Sequence, residues 1–199
     1  TDNTMHIPAG FSFSGVACGL KKSGKTDLGL ILGDDALEAE CYFTSNAFKA
    51  APLLLSVETL HGSGSRIRAI VVNSGNANCA TGEDGIADAR RVCEAAAGEL
   101  GIEPSLVHSS STGIIGKRLD VAKITGAVTR LIAAAGTSEA HLKDFSAAIM
   151  TTDTFEKIVS RQVTIGGRTV TVCGVAKGAG MIQPDLNHAT MLSYIMTDA

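Results

Sequence analysis

Apolar residues are spaced differently in different parts of the chain, and that spacing predicts its elements. Ile67, Ala69, Ile70, Val71 and Val72 form an almost unbroken apolar run, which predicts a strand buried on both faces. Gly15–Leu20 and Asp27–Leu32 are shorter runs of the same kind, the second ended by Gly33-Asp34-Asp35. Ala39–Thr44, with Cys41, Tyr42 and Phe43 together, also has strand character. Three segments carry apolar residues at steps of three and four, the spacing of an amphipathic helix: Gly85–Leu100, Asp120–Ala135 and Ser138–Met150. Gly136 is placed to stop the second. Ile158–Val163 and Arg168–Val175 alternate on either side of Gly166-Gly167, which predicts a hairpin. Asn73–Asn78 shows neither period and is expected to turn. Thr190–Ala199 reads as a strand. Strands and helices in this alternation predict an α/β layered fold.

Composition narrows the picture. Of 199 residues, 45% are apolar, enough for a sizeable core, and one domain over residues 1–199 is expected. The net charge of −3 comes without a basic block, which argues against nucleic acid or an anionic membrane as partner. No apolar run reaches the ~18 residues of a membrane span, and the N-terminus lacks a signal-peptide pattern. The five cysteines are odd in number, with no C-x-x-C pair, so neither a disulfide framework nor a zinc site is expected, and a reducing, cytoplasmic setting fits. Twenty-two glycines predict tight turns and close backbone approaches. A strand reaching Ala199 with no element after it suggests a longer polypeptide or a heteromer.

Four polar, glycine-bearing constellations interrupt the apolar chain: Asn73–Gly82 (NSGNANCATG), Ser109–Gly113 with Gly116 beyond, Met150–Thr154 (MTTDT), and Lys177–Met181 (KGAGM) followed by Pro184 and by Ala189–Leu192 (ATML). Each could present N–H groups or hydroxyls to a small anion, and each on its own also reads as an ordinary loop. No Ser–His–Asp set, metal-ligand cluster or P-loop is evident.

Taken in this order, the four resemble the bifunctional ornithine acetyltransferase, or glutamate N-acetyltransferase, family of arginine biosynthesis. NSGNANACTG matches Asn73–Gly82 with Cys79-Ala80 reversed. STGxIG matches Ser111–Gly116, AIMTTDT matches Ala148–Thr154, and AKGxGMIxP matches Ala176–Pro184. ATML and TDA match Ala189–Leu192 and Thr197–Ala199. The segment Asp185–His188 carries two residues more than the family pattern.

The resemblance implies an α-β-β-α sandwich of the self-processing N-terminal-nucleophile type. The chain would be the N-terminal, α-chain part of a larger enzyme. It implies a precursor that cuts itself between Ala189 and Thr190, freeing Thr190 as the nucleophile. A threonine hydroxyl needs a base, and a freed α-amine with a reference pKa near ~8 supplies one on the same residue. By resemblance, Thr112 and Gly113 stabilise the oxyanion, while Lys177 and Thr152 contact substrate. A cation at Lys177 would also depress the α-amine's pKa. His188, beside the bond, is a further candidate base. The implied reaction moves an acetyl group from N-acetylornithine to glutamate through acetyl-Thr190, with no cofactor and acetyl-CoA left open as a second donor. The implied partner is a β-chain from the same precursor, in an α2β2 assembly. Two other functions are compatible with the residues: an amide hydrolase resembling the self-processing aminopeptidases, and a non-catalytic binding protein on the same scaffold.

Overall fold

The computed structural model describes residues 5–179 and 191–199. In chain order the elements are β1 (Phe11–Val16), β2 (Leu28–Glu38), α1 (Ala51–Ser63), β3 (Arg66–Asn76), α2 (Gly82–Leu100), β4 (Val107–Ile114), α3 (Val121–Thr125), α4 (Val128–Ala133), α5 (Glu139–Ile149), β5 (Lys157–Ile165), β6 (Arg168–Lys177) and β7 (Leu192–Thr197). A four-stranded sheet has the order β1-β2-β3-β4, and a three-stranded sheet the order β5-β6-β7. Every neighbouring pair is antiparallel except β3 and β4, which run parallel with α2 in the crossover between them.

Side-chain alternation along the strands gives the first sheet two apolar faces. Leu28, Leu30, Ala69, Val71 and Val107 join Leu55, Val92, Ala96, Ile124 and Leu131 in one core, beneath α1–α4. Phe13, Ile31 and Val72 join Leu142, Phe145 and Ile149 of α5 and Cys173, Val175 and Met196 of the second sheet in the other. The result is a layered α/β sandwich. Gly15 and Gly29 face each other across β1 and β2. A Cβ on Gly15 would lie 2.0 Å from the Asp144 carbonyl oxygen, and one on Gly29 would lie 2.9 Å from the Phe145 ring. This pair therefore forms the trough in which α5 lies.

Several elements depart from the sequence pattern, each for a physical reason. The first strand is Phe11–Val16 rather than Gly15–Leu20. The buried Asp27 carboxylate accepts hydrogen bonds from the N–H groups of Cys18 (2.6 Å) and Lys21 (2.7 Å) and bends the chain there. Ala39–Thr44 is not a strand. β3 begins at Arg66, opposite Glu38, so among the described residues no partner strand extends past that point. Conversely, Asn73–Asn76 continues β3, because β4 runs alongside as far as Ile114. The expected helix Asp120–Ala135 is two short helices separated at Gly126-Ala127, where glycine's weak helix propensity lets the chain turn. Gly136 does more than follow a helix. It exchanges two backbone hydrogen bonds with Phe13, at 2.9 and 3.0 Å. α1 lacks a clear amphipathic period and was not expected from the pattern. It starts at a Pro near its N-terminus and ends at Gly64 in the left-handed conformation.

Cys18, Cys41, Cys79, Cys93 and Cys173 are all free. Among the described residues, no helix is long and apolar enough to cross a membrane.

Candidate active site

The site lies where the end of β4, the end of β6 and the loop after α5 meet. β4 is the last strand of its sheet, so alternate backbone N–H groups along it face away from β3. Near its end the register is interrupted, with Asn76 opposite both Thr112 and Ile114. Gly113 is required here. Its φ is 133°, and a Cβ would lie 2.5 Å from the Gly75 carbonyl carbon and 2.6 Å from the Asn76 nitrogen. Gly113→Ala is expected to lower the thermal unfolding midpoint, with backbone strain alone worth about 1–3 kcal/mol. An unchanged midpoint would show that the two strand ends are not so tightly apposed.

The asparagine-rich segment holds this strand end rather than offering itself to a ligand. The Asn73 amide donates to the Asn76 carbonyl (2.9 Å), and its oxygen accepts from Ser111 Oγ (2.6 Å). The Asn76 amide donates to the carbonyls of Lys117 and Arg118, and its oxygen accepts from the Asn78 N–H (2.7 Å). The Asn78 amide donates to the Gly85 carbonyl, and its oxygen accepts from Thr81 Oγ1. All three asparagines are buried. Their side-chain groups are spent on the scaffold.

Lys177, the last residue of β6, is only 5% exposed. Its Nζ donates to Thr112 Oγ1 and to Thr151 Oγ1, both at 2.9 Å. Burial lowers the Lys177 pKa; the nearby Asp153 carboxylate opposes the shift and Lys157 adds to it. Because Thr112 Oγ1 accepts from an ammonium, its own hydroxyl hydrogen is left to donate elsewhere. A hydroxyl polarised in this way, beside a glycine on an edge strand, suits a developing oxyanion.

Asp153 closes the arrangement from below. Its Oδ1 accepts from the Gly178 N–H (2.7 Å) and from Lys157 Nζ (2.8 Å), and its Oδ2 accepts from the Thr151 N–H (3.2 Å). Burial by itself would raise its pKa. The hydrogen bonds from Lys157, Gly178 and Thr151, with the Lys157 charge, outweigh that and hold it at about 2.

The structure thus brings Thr112, Gly113 and Lys177 together, as the sequence suggested. Thr152 is exposed in the adjoining loop, and the hydroxyl bonded to Lys177 belongs to its neighbour Thr151. Thr151 and Asp153 lie in a motif the sequence singled out, but no periodicity distinguishes them from Thr152. Ala189, Thr190 and His188 lie outside the described residues. Among the described residues, no group of three or more His, Cys, Asp or Glu side chains is arranged to hold a metal ion.

Comparison with known sequences assigns the family. The ArgJ family pattern matches residues 12–199. The chain belongs to the ArgJ family. The ArgJ-family arginine biosynthesis bifunctional protein of Thermotoga neapolitana is 47% identical over 195 residues, covering 98% of this chain and 48% of the relative. Its counterpart in Geobacter sulfurreducens is 46% identical over 191 residues, covering 96% and 47%. The chain therefore spans about half the length of these curated ArgJ relatives. Among solved structures, the ArgJ protein of Bacillus halodurans superposes with a TM-score of 0.85 at 37% identity, over 89% of this chain and 91% of that one. The ornithine acetyltransferase of Mycobacterium tuberculosis, crystallised with ornithine, superposes with a TM-score of 0.79 at 36% identity, over 89% and 93%.

Proposed function

We propose that this ArgJ chain carries the oxyanion-stabilising and cation-bearing half of an acetyltransferase that moves an acetyl group from N-acetylornithine to glutamate. The observation that carries the reading is the buried Lys177 ammonium bonded to Thr112, beside a position only glycine fits. The relatives named for arginine biosynthesis, and the ornithine acetyltransferase solved with ornithine, support the choice of substrate class.

In this reading Thr190 is the nucleophile. It is joined through Met191 to Leu192, whose strand partner is Lys177. The freed α-amine takes the hydroxyl proton as Oγ1 attacks the acetyl carbonyl carbon. The carbonyl oxygen takes the negative charge and is met by Thr112 and Gly113. The C–N bond then breaks, the α-amine returns a proton to the leaving nitrogen, and ornithine departs. Glutamate's amine attacks acetyl-Thr190 by the same steps in reverse order, giving N-acetylglutamate and free Thr190. No cofactor is needed, since every proton and bond is accounted for by the two substrates and the protein.

The complementary half found in the longer relatives is the partner we infer, in an α2β2 assembly. The outward face of the second sheet exposes Val159, Val172 and Ile195, a surface suited to such a partner. Five free cysteines suit a cytoplasmic setting. The test is acetyl transfer from N-acetylornithine to glutamate by the assembled enzyme, followed by chromatography of both products. Thr152→Ala in the same assay checks whether the exposed hydroxyl contacts substrate. The 199-residue chain alone is expected to fold, by circular dichroism, yet to transfer no acetyl group. Activity of that chain on N-acetylornithine would refute the need for a partner.

A further inference from the structure

We infer that Asp153 is a positioning residue for this site, holding Lys177 and Thr151 in register with Thr112. The inference rests on the acetyltransferase reading for its kinetic consequences, but its geometry stands apart from it.

One carboxylate ties three pieces of chain together. Through the Thr151 N–H it fixes the loop after α5, through Lys157 it holds the first residue of β5, and through the Gly178 N–H it holds the peptide that follows Lys177. Its side chain is 1% exposed. Thr151 and Lys177, which are bonded to each other at the lysine Nζ, are therefore anchored from the same group. Thr151 supplies an acceptor to the ammonium while its own N–H donates to Asp153. Lys177 supplies the ammonium while the next N–H donates to Asp153. No direct ion pair joins Asp153 to Lys177, and the lysine's two described acceptors are neutral hydroxyls. Among the described residues, the charged groups acting on Lys177 are Asp153 from the loop, Lys157 from β5 and Lys21 from the β1–β2 loop. Asp153 is the one carboxylate among them. It opposes the loss of the Lys177 proton, and the two other lysines favour that loss.

The sign of the consequence follows. Removing the Asp153 charge lowers the Lys177 pKa further, so the lysine loses its proton at lower pH. If protonated Lys177 is the working form, the falling, high-pH limb of kcat moves to lower pH. A loosened loop would reduce kcat without moving that limb.

The test uses the assembled enzyme carrying Asp153→Asn or Asp153→Glu, with two readouts. The first is the pH profile of kcat. The second is the titration of Lys177 followed by NMR in protein labelled with carbon-13 at lysine Cε, which requires no turnover. Asp153→Asn is expected to reduce kcat by about 10–100-fold, the scale of a small misplacement of reacting groups. It should also lower the midpoint of the Lys177 titration. Asp153→Glu keeps the charge and should leave that midpoint near the wild-type value, with kcat between those of wild type and the Asn variant. An Asn variant with wild-type kcat, or with an unmoved Lys177 titration, overturns the inference. Should the Asn variant not fold, an Asp153→Glu enzyme with wild-type kcat overturns it equally. If the wild-type enzyme transfers no acetyl group, the acetyltransferase reading falls, and the NMR titration still decides the role of Asp153.

Discussion

Thr190→Ala is expected to leave the precursor as one uncut polypeptide with no acetyl transfer. Two steps fail together, because the same hydroxyl is asked to attack the Ala189 carbonyl and then the acetyl donor. The proposed mechanism gives neither attack a second nucleophile: the α-amine serves as base and exists only after the first cut, and Lys177 is a cation held by two hydroxyls. Thr190→Ser keeps the hydroxyl and, once cut, the amine, so it should cleave and retain part of the activity. The two additional residues within Asp185–His188 precede the bond, and attack requires the hydroxyl within about 3–3.5 Å of the carbonyl carbon. The proposal therefore requires that those residues loop out and leave Ala189-Thr190 in place. N-terminal sequencing of the second chain checks this directly. A chain starting at Thr190 agrees with it. A start elsewhere, with Thr190→Ala still active, removes Thr190 from the mechanism.

Thr112→Ala is expected to retain substrate binding and slow turnover by about 10²–10³-fold. The hydroxyl accepts from Lys177, which leaves its own hydrogen to donate elsewhere, in the proposed mechanism to the developing charge. Its contribution is largest when the carbonyl oxygen becomes an oxyanion, so the loss appears in kcat rather than in KM. Thr112→Ser, which keeps the donor and the bond to Lys177, should recover most of the rate. Single-turnover kinetics with N-acetylornithine separates acylation from product release. Normal turnover of the alanine variant would reduce Thr112 to a strand-end residue with a convenient hydrogen bond.

The residues proposed to carry direct chemistry stood out in the sequence because each is marked by local composition. Gly113 sits in a serine-threonine-glycine cluster, and Lys177 precedes a glycine-rich stretch of sequence. The residues that hold them were not legible, because their role depends on pairings distant along the chain. Asp153 meets Gly178 across 25 positions, and Ser74 Oγ donates to the Ala148 carbonyl from a different layer of the fold. Thr151 and Thr152 are adjacent hydroxyls with identical chemistry, and only the position of Lys177 selects between them.

The same division holds for the fold. Val71 and Val72, on opposite faces of β3, are both buried, as an unbroken apolar run predicts. Asn73–Asn76 looked like a turn because its composition is that of one. It is a strand because β4 pairs with it and because the amides of Asn73 and Asn76 find partners inside the protein. Ala39–Thr44 has the residues of a strand, but β3 starts opposite Glu38 and no described strand runs beside it. In both cases the deciding factor is the hydrogen-bonding partner, which local pattern does not record.

The central claim is that Thr190 carries the acetyl group between two amines, with Thr112 and Lys177 serving the same site. The most direct test is mass spectrometry of the assembled enzyme, quenched after exposure to N-acetylornithine with glutamate withheld, followed by peptide mapping. The account predicts a chain beginning at Thr190, heavier by one acetyl group, with the group mapped to that threonine and lost when glutamate is added. Turnover without an acetylated Thr190, or an acetyl group mapped to another residue and discharged by glutamate, would contradict it.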